Sequence, residues 1–210
     1  MSRNSIWTIL VVWAALLGCS SPAKVEVRPN PLVLEGKGAK GELKAVIFDE
    51  DGKELAKGYD VTWLCVDPST AKVQQDGSVE AMTSGKTMVD VEIVGTEVHG
   101  EATIEVRIPS WVEISTDELA LVQGQPAQTV WAETRNDKRF PMKGYLPTWK
   151  VDNPSILSIE PSQDAQGARA YLKVTPLAPG ETYLTASYKD LAADIRVVVT
   201  PPGAPTAEGQ

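Results

Sequence analysis

Apolar side chains alternate with polar ones along most of this chain, in short runs broken by Pro, Gly, Asp and Asn. Val61, Trp63 and Cys65 share one parity, and Ala71 and Val73 resume it after Asp67, Pro68 and Ser69. A period of two marks a strand with one face buried. Pro fixes its own φ and removes a donor, while Asp accepts hydrogen bonds from its own turn. The triplet therefore predicts strand, turn, strand, with the large Trp63 side chain on the core face. Further runs before residue 108 are Val25 and Val27; Leu43, Ala45 and Ile47; Val79 and Ala81; Val89, Val91 and Ile93; and Ala102, Ile104 and Val106. Pro29 and Pro31 predict a bent edge chain. Asp49, Glu50, Asp51 and Gly52 predict a hairpin turn. A calcium loop is the alternative there, but the stretch lacks the roughly twelve-residue spacing and closing Glu of such loops. About seven short strands, with turns every 8–12 residues or so, predict a β-sandwich.

The pattern is then written a second time. Trp149 and Val151, then Leu157 and Ile159, flank Asn153, Pro154 and Ser155. Trp63 and Trp149 lie 86 positions apart, and Pro68 with Pro154, Ser69 with Ser155 and Val73 with Ile159 keep that offset. A fixed self-similarity means two copies of one folded unit. Val112 and Ile114 restart the pattern, and Val130 and Ala132 take the places of Leu43 and Ala45. Trp131 then points the other way, where the first copy has Lys44. Leu184, Ala186 and Tyr188 match Val89, Val91 and Ile93 at an offset of 95, so about nine residues are inserted near 161–171. Ile195, Val197 and Val199 close the unit. The expected organisation is all-β, with tandem sandwiches over 24–108 and 109–200. The joint of Arg107, Ile108, Pro109 and Ser110 is short and contains Pro, which limits relative motion. Trp111 sits at that joint, where it is expected to pack between the units. Residues 201–210 have Pro and Gly without periodicity and read as a disordered tail.

The run from Val61 through Thr62, Trp63, Asp67, Pro68, Ser69, Ala71 and Val73, followed by Gly77, Ser78, Val79, Glu80, Ala81 and Gly85, resembles the bacterial immunoglobulin-like domain, group 2. The resemblance covers nearly all of the first unit. It is looser in the second, where Pro147 replaces Val61. It implies a small β-sandwich, often in tandem, on bacterial surface and envelope proteins. It is specific for fold and poorly specific for function.

Before the first sandwich, residues 1–18 carry Arg3 and an apolar stretch over 6–17 that is too short to span a bilayer, which takes about 20 residues. Leu16, Leu17, Gly18 and Cys19 resemble the bacterial lipobox. The resemblance implies cleavage before Cys19 and acylation of its thiol and new amine. More than one acyl chain gives stable membrane anchoring. Residues 19–23 form the lipidated Cys and tether. Ser20 and Ser21, with no Asp beside Cys19, resemble the outer-membrane sorting class, with the periplasmic or surface face left open.

Composition narrows the chemistry. Formal charge is −8 and the pI about 4.8, which argues against a general nucleic-acid binder. The acidity is uneven: residues 20–108 hold 10 Lys/Arg against 16 Asp/Glu, and residues 109–200 hold 9 against 11. An acidic first unit suits a basic partner or cations, or simply solubility. With Cys19 lipidated, Cys65 has no partner in the chain, and its parity predicts a buried small hydrophobe. One His, His99, cannot serve a triad and a zinc site needs more ligands than two Cys and one His offer. No Gly-rich loop precedes a helix, so no nucleotide cradle is expected. The reading is non-enzymatic, with no cofactor and no metal. Candidate partner-binding residues are the outward aromatics Trp131, Phe48 and Tyr183, which could stack on sugar rings or anchor a protein. The alternative is that they cover a sheet edge or the joint. The expected function is an outer-membrane lipoprotein serving as spacer or docking module for other envelope proteins. A surface adhesin or glycan binder is the rival.

Overall fold

The computed structural model describes residues 21–56 and 58–203, and these contain strands, turns and connections with no helix. The leader 1–18, Cys19 and the last seven residues of the expected tail lie outside the described residues.

The first unit contains β1 (Lys24–Arg28), β2 (Leu32–Glu35), β3 (Lys40–Glu42), β4 (Lys44–Phe48), β5 (Val61–Cys65), β6 (Ala71–Val73), β7 (Ser78–Ala81), β8 (Gly85–Ile93) and β9 (His99–Arg107). One layer has the order β2-β9-β8-β5; the other is made of β1-β4 and β3-β7-β6, with only Leu43 between β3 and β4. Pro29 and Pro31 fall where the chain leaves β4 and crosses to run parallel with β9. A residue without an N–H cannot extend a ladder, so the change of layer is placed there. Leu43, Trp63, Val79, Val89, Val91, Ile93 and Ile104 fill the space between the layers.

The second unit repeats this plan with β10 (Pro109–Ile114), β11 (Glu118–Val122), β12 (Gln128–Asn136), β13 (Thr148–Val151), β14 (Leu157–Gln163), β15 (Ala170–Pro176), β16 (Gly180–Tyr188) and β17 (Leu191–Thr200). Its layers run β10-β12-β15-β14 and β11-β17-β16-β13. β11 lies parallel to β17 just as β2 lies parallel to β9. Its core holds Leu121, Val130, Leu157, Leu172, Leu184 and Val197. Both units are immunoglobulin-like sandwiches. The nine-residue insertion makes no new loop; it lengthens the β14–β15 hairpin, with Pro161 opposite Leu172 and Gln163 opposite Ala170. Ala170, Leu172 and Val174 keep the period of two through it and are all buried. Pro161 is tolerated because β14 is an edge strand.

The repeated turn is built from the same hydrogen bonds twice. Asp67 Oδ1 accepts from the Ser69 N–H at 3.0 Å and Ser69 Oγ at 2.6 Å, and the Asp67 N–H donates to Thr87 Oγ1 at 2.9 Å. Asn153 Oδ1 accepts from the Ser155 N–H at 3.1 Å and Ser155 Oγ at 2.7 Å, and its N–H donates to Thr182 Oγ1 at 3.0 Å. One member of the pair titrates and the other does not. The Ser69 hydrogen bond, then that of Thr70, holds the Asp67 carboxyl below the usual aspartate value of 3.8. A carboxyl depressed in the folded state stabilises above its unfolded pKa, and that contribution is lost as pH falls through the folded one. The first sandwich should therefore lose stability below about pH 3.8, and Asp67→Asn should flatten that part of its acid limb. Thermal melts from pH 5 to 2 check this; an unchanged acid limb in the variant refutes it.

Two positions depart from the sequence reading. Cys65 is half-buried instead of fully buried, because β5 is an edge strand and Cys65 ends it; its thiol donates to Ala71 O at 3.2 Å. Trp149 is also half-buried, and its indole N–H donates to Ala170 O at 3.1 Å.

Candidate functional site

The joint is tighter than the sequence indicates. Only Ile108 separates β9 from β10. It is buried, and its N–H donates to Ser84 Oγ at 2.9 Å. The Ser84 N–H in turn donates to both carboxylate oxygens of Asp137 at 3.1 Å. Tyr145 Oη donates to Glu35 Oε1 at 2.7 Å, and Lys189 Nζ lies 3.8 Å from Glu35 Oε2. The Tyr145 and Tyr188 rings stand 5.4 Å apart beside this contact. The connection between β12 and β13, and the turn between β16 and β17, thus reach back onto the ends of β2 and β8. Burial first, then the Glu35 hydrogen bond, push the Tyr145 phenol up to about 12, so it remains a donor at any physiological pH. Trp111 does not need the joint for its partner: Arg139 of its own sandwich lies over its ring at 5.9 Å. Sequence reasoning missed Ser84, Asp137 and Tyr145, since nothing in their spacing says what faces them.

Trp131 lies on the outer face of the β10-β12-β15-β14 layer, opposite Tyr171. It is half-buried, and the Arg169 guanidinium sits 4.1 Å from its ring centre. Arg169 Nε donates to Glu133 Oε2 at 3.0 Å. Glu133 shares the outward parity of Trp131, yet is only 1% exposed, because Arg169 and Arg135 close over it. Arg135 reaches Glu133 Oε1 at 2.7 Å and Glu113 Oε2 at 2.6 Å. Those are charge contacts: neither Glu133 Oε1 nor Arg135 Nε is aligned for a hydrogen bond. The Glu133 bond, then Tyr171, raise the Arg169 pKa, so the stacked cation is permanent. The face offers the Trp131–Arg169 contact, the Tyr171 phenol and the partly exposed Glu113 carboxylate, with Glu133 shut beneath the arginines. These are groups for recognising a polar, flat ligand, with no nucleophile among them. Of this face the sequence reading picked out Trp131 alone; Glu133 and Arg135 were missed, and Arg169 comes from the insertion and was not legible.

The other two candidate aromatics sit elsewhere. Phe48 ends β4 in the first sandwich under Arg28 at 5.9 Å. Tyr183 lies on β16, in the layer opposite that of Trp131, facing Arg196. The three do not form one site. Cys65 and His99 do not meet: Cys65 pairs with the buried Val89 and His99 with the exposed Glu92, three residues along β8 and on its other face. Asp49 Oδ1 accepts from the Asp51 and Lys53 N–H groups, as a turn requires. Among the described residues no cluster of three or more His, Cys, Asp and Glu side chains is placed to hold a metal ion.

No protein-family model and no curated protein sequence matches the chain. Solved structures do. The Escherichia coli adhesin FdeC superposes with a TM-score of 0.58 at 14% identity, over 84% of this chain and 63% of that one. The S-layer protein SbsC gives a TM-score of 0.42 at 20% identity, over 91% of this chain and 30% of that one. Yersinia pseudotuberculosis InvD gives 0.45 at 13%, over 89% and 60%. The chain therefore spans less than two thirds of the length of each of these. At such identities the likeness to FdeC establishes the fold and nothing further.

Proposed function

We propose that the chain is a non-enzymatic lipoprotein of the bacterial outer membrane, anchored through Cys19, which acts as a spacer or protein-docking module in an envelope assembly. The observation that carries this reading is the joint. Ser84 to Asp137 and Tyr145 to Glu35 bond the two sandwiches across it, which restrains their relative motion. A restrained pair of sandwiches suits a spacer, and restraint lowers the entropy lost on binding a partner. The lipobox resemblance at 16–19 supplies the anchor. Affinity purification from gently solubilised membranes tests it. Recovery of the chain with other envelope proteins is expected; recovery alone defeats docking, and recovery from a detergent-free soluble fraction defeats the anchor.

A surface adhesin that binds glycans is the second reading, favoured by the Trp131, Tyr171 and Arg169 face. FdeC, an adhesin, shares the architecture. Binding on a glycan array should disappear in Trp131→Ala, and binding that survives the substitution removes Trp131 from the account. Protease shaving of intact cells separates the two readings, since a periplasmic spacer is spared.

A further inference from the structure

The outer face of the β2-β9-β8-β5 layer exposes a cluster of apolar side chains, where its counterpart in the second sandwich keeps one large exposed ring, Tyr183, in the place of Met88. Leu64 is 64% exposed, Val66 64% and Met88 43%. They are neighbours: the Val66 N–H donates to Met88 O, and Leu64 stands opposite Asp90, two residues along β8 from Met88. Beside them Asp90 lies directly across from Glu101, with Glu92 next on β8. Like charges placed opposite each other on a sheet cost stability. Among the described residues no ion pair engages Asp90, Glu92 or Glu101, whereas Glu105 on the same face is held by Lys86 and Arg107.

The second sandwich shows that the fold does not demand this. Lys150 and Asp152 stand where the first has Leu64 and Val66, and they lie 4.0 Å apart as an ion pair. Thr185 faces Asp194 where Asp90 faces Glu101. Arg196 crosses that face to both Glu181 and Glu118. One copy balances its charges and puts polar groups at two of the three positions, with the hydroxyl-bearing Tyr183 at the third; the other leaves an aliphatic centre beside three carboxylates that no ion pair engages among the described residues. A partner with apolar side chains flanked by Lys or Arg relieves both costs at once. Strand addition at the neighbouring edge is closed off. The Gln75 amide accepts from the Trp63 N–H at 3.1 Å and donates to Trp63 O at 3.0 Å, filling the edge of β5 at its centre.

We propose that this face is a docking surface for a basic segment of another protein, which sets apolar side chains on Leu64, Val66 and Met88 and cations on Asp90, Glu92 and Glu101. The inference rests on the docking reading above and names its surface and the chemistry of the partner. The test places a photo-crosslinking benzoylphenylalanine at 64, or at 150 as control, in the full chain in its own cells, and sequences the captured peptide. A net-positive peptide joined at 64 and not at 150 is expected. Its yield should fall about tenfold in Asp90→Lys with Glu101→Lys, or when salt is raised. Melting curves of these surface variants confirm that they fold. Capture of an acidic segment, of lipid or of a second copy of this chain overturns the proposal, as does a yield unmoved by the charge reversal. If position 64 captures nothing while purification still recovers partners, this face is wrong and docking stands; if purification recovers none, the docking reading itself has failed.

Discussion

Trp63→Ala is expected to lower the stability of the first sandwich by about 3–5 kcal/mol, enough to leave it largely unfolded at 37 °C. Trp63 is 6% exposed and is the one tryptophan between residues 24 and 108. Its loss opens a cavity between the layers. It also disturbs the strand on which Gln75 closes the edge. Trp149→Ala should cost less. That ring is only half-buried, although Ala170 O then loses its indole donor. Because Trp63 is itself the fluorescent probe of its unit, far-UV circular dichroism and hydrogen exchange are the suitable measurements. Equal losses at 63 and 149 would mean that the two sandwiches do not rely on their tryptophans as burial indicates.

Gly77→Ala should be comparably damaging, and Gly167→Ala should not. Both glycines close a turn by donating to the carbonyl three residues back, and both have φ in the left-handed region, +83 and +64. That backbone costs an alanine about 1–2 kcal/mol in either place. The difference lies in what surrounds them. A Cβ on Gly77 would run into the carbonyl oxygen of Leu43, a residue whose own N–H is bonded to Gly77 O, while a Cβ on Gly167 meets nothing within 4 Å. Urea unfolding should show a loss of roughly 3 kcal/mol or more at 77, and of about 1–2 kcal/mol at 167. Similar values at both positions would show that φ alone decides the cost.

Much of the architecture is legible in the chain because burial on one face of a strand imposes a period of two. Val89, Val91 and Ile93, and Ile195, Val197 and Val199, are read as inward and are buried. The insertion shows where legibility ends. A count of residues reveals nine extra positions, but only the ladder from Pro161–Leu172 to Gln163–Ala170 says that they prolong a hairpin. Cys65 shows the same limit, since parity assigns a side to a residue and edge position then decides how deeply it is covered.

Surfaces were the least readable part, for a physical reason. Outward positions are not constrained by a shared core, so each takes its character from whatever side chain arrives from elsewhere. Trp131 was recognisable as outward; that Arg169 stacks on it, and that both arginines bury Glu133, depends on a turn 36 residues further along the chain. The repeat of apolar positions was sufficient to specify two sandwiches, since hydrophobic burial acts along each strand and leaves its trace in neighbouring residues. Which groups meet across the joint, and which carboxylates stand unanswered beside Leu64 and Met88, were settled by packing of distant segments, where the contacts are between residues that share no local pattern.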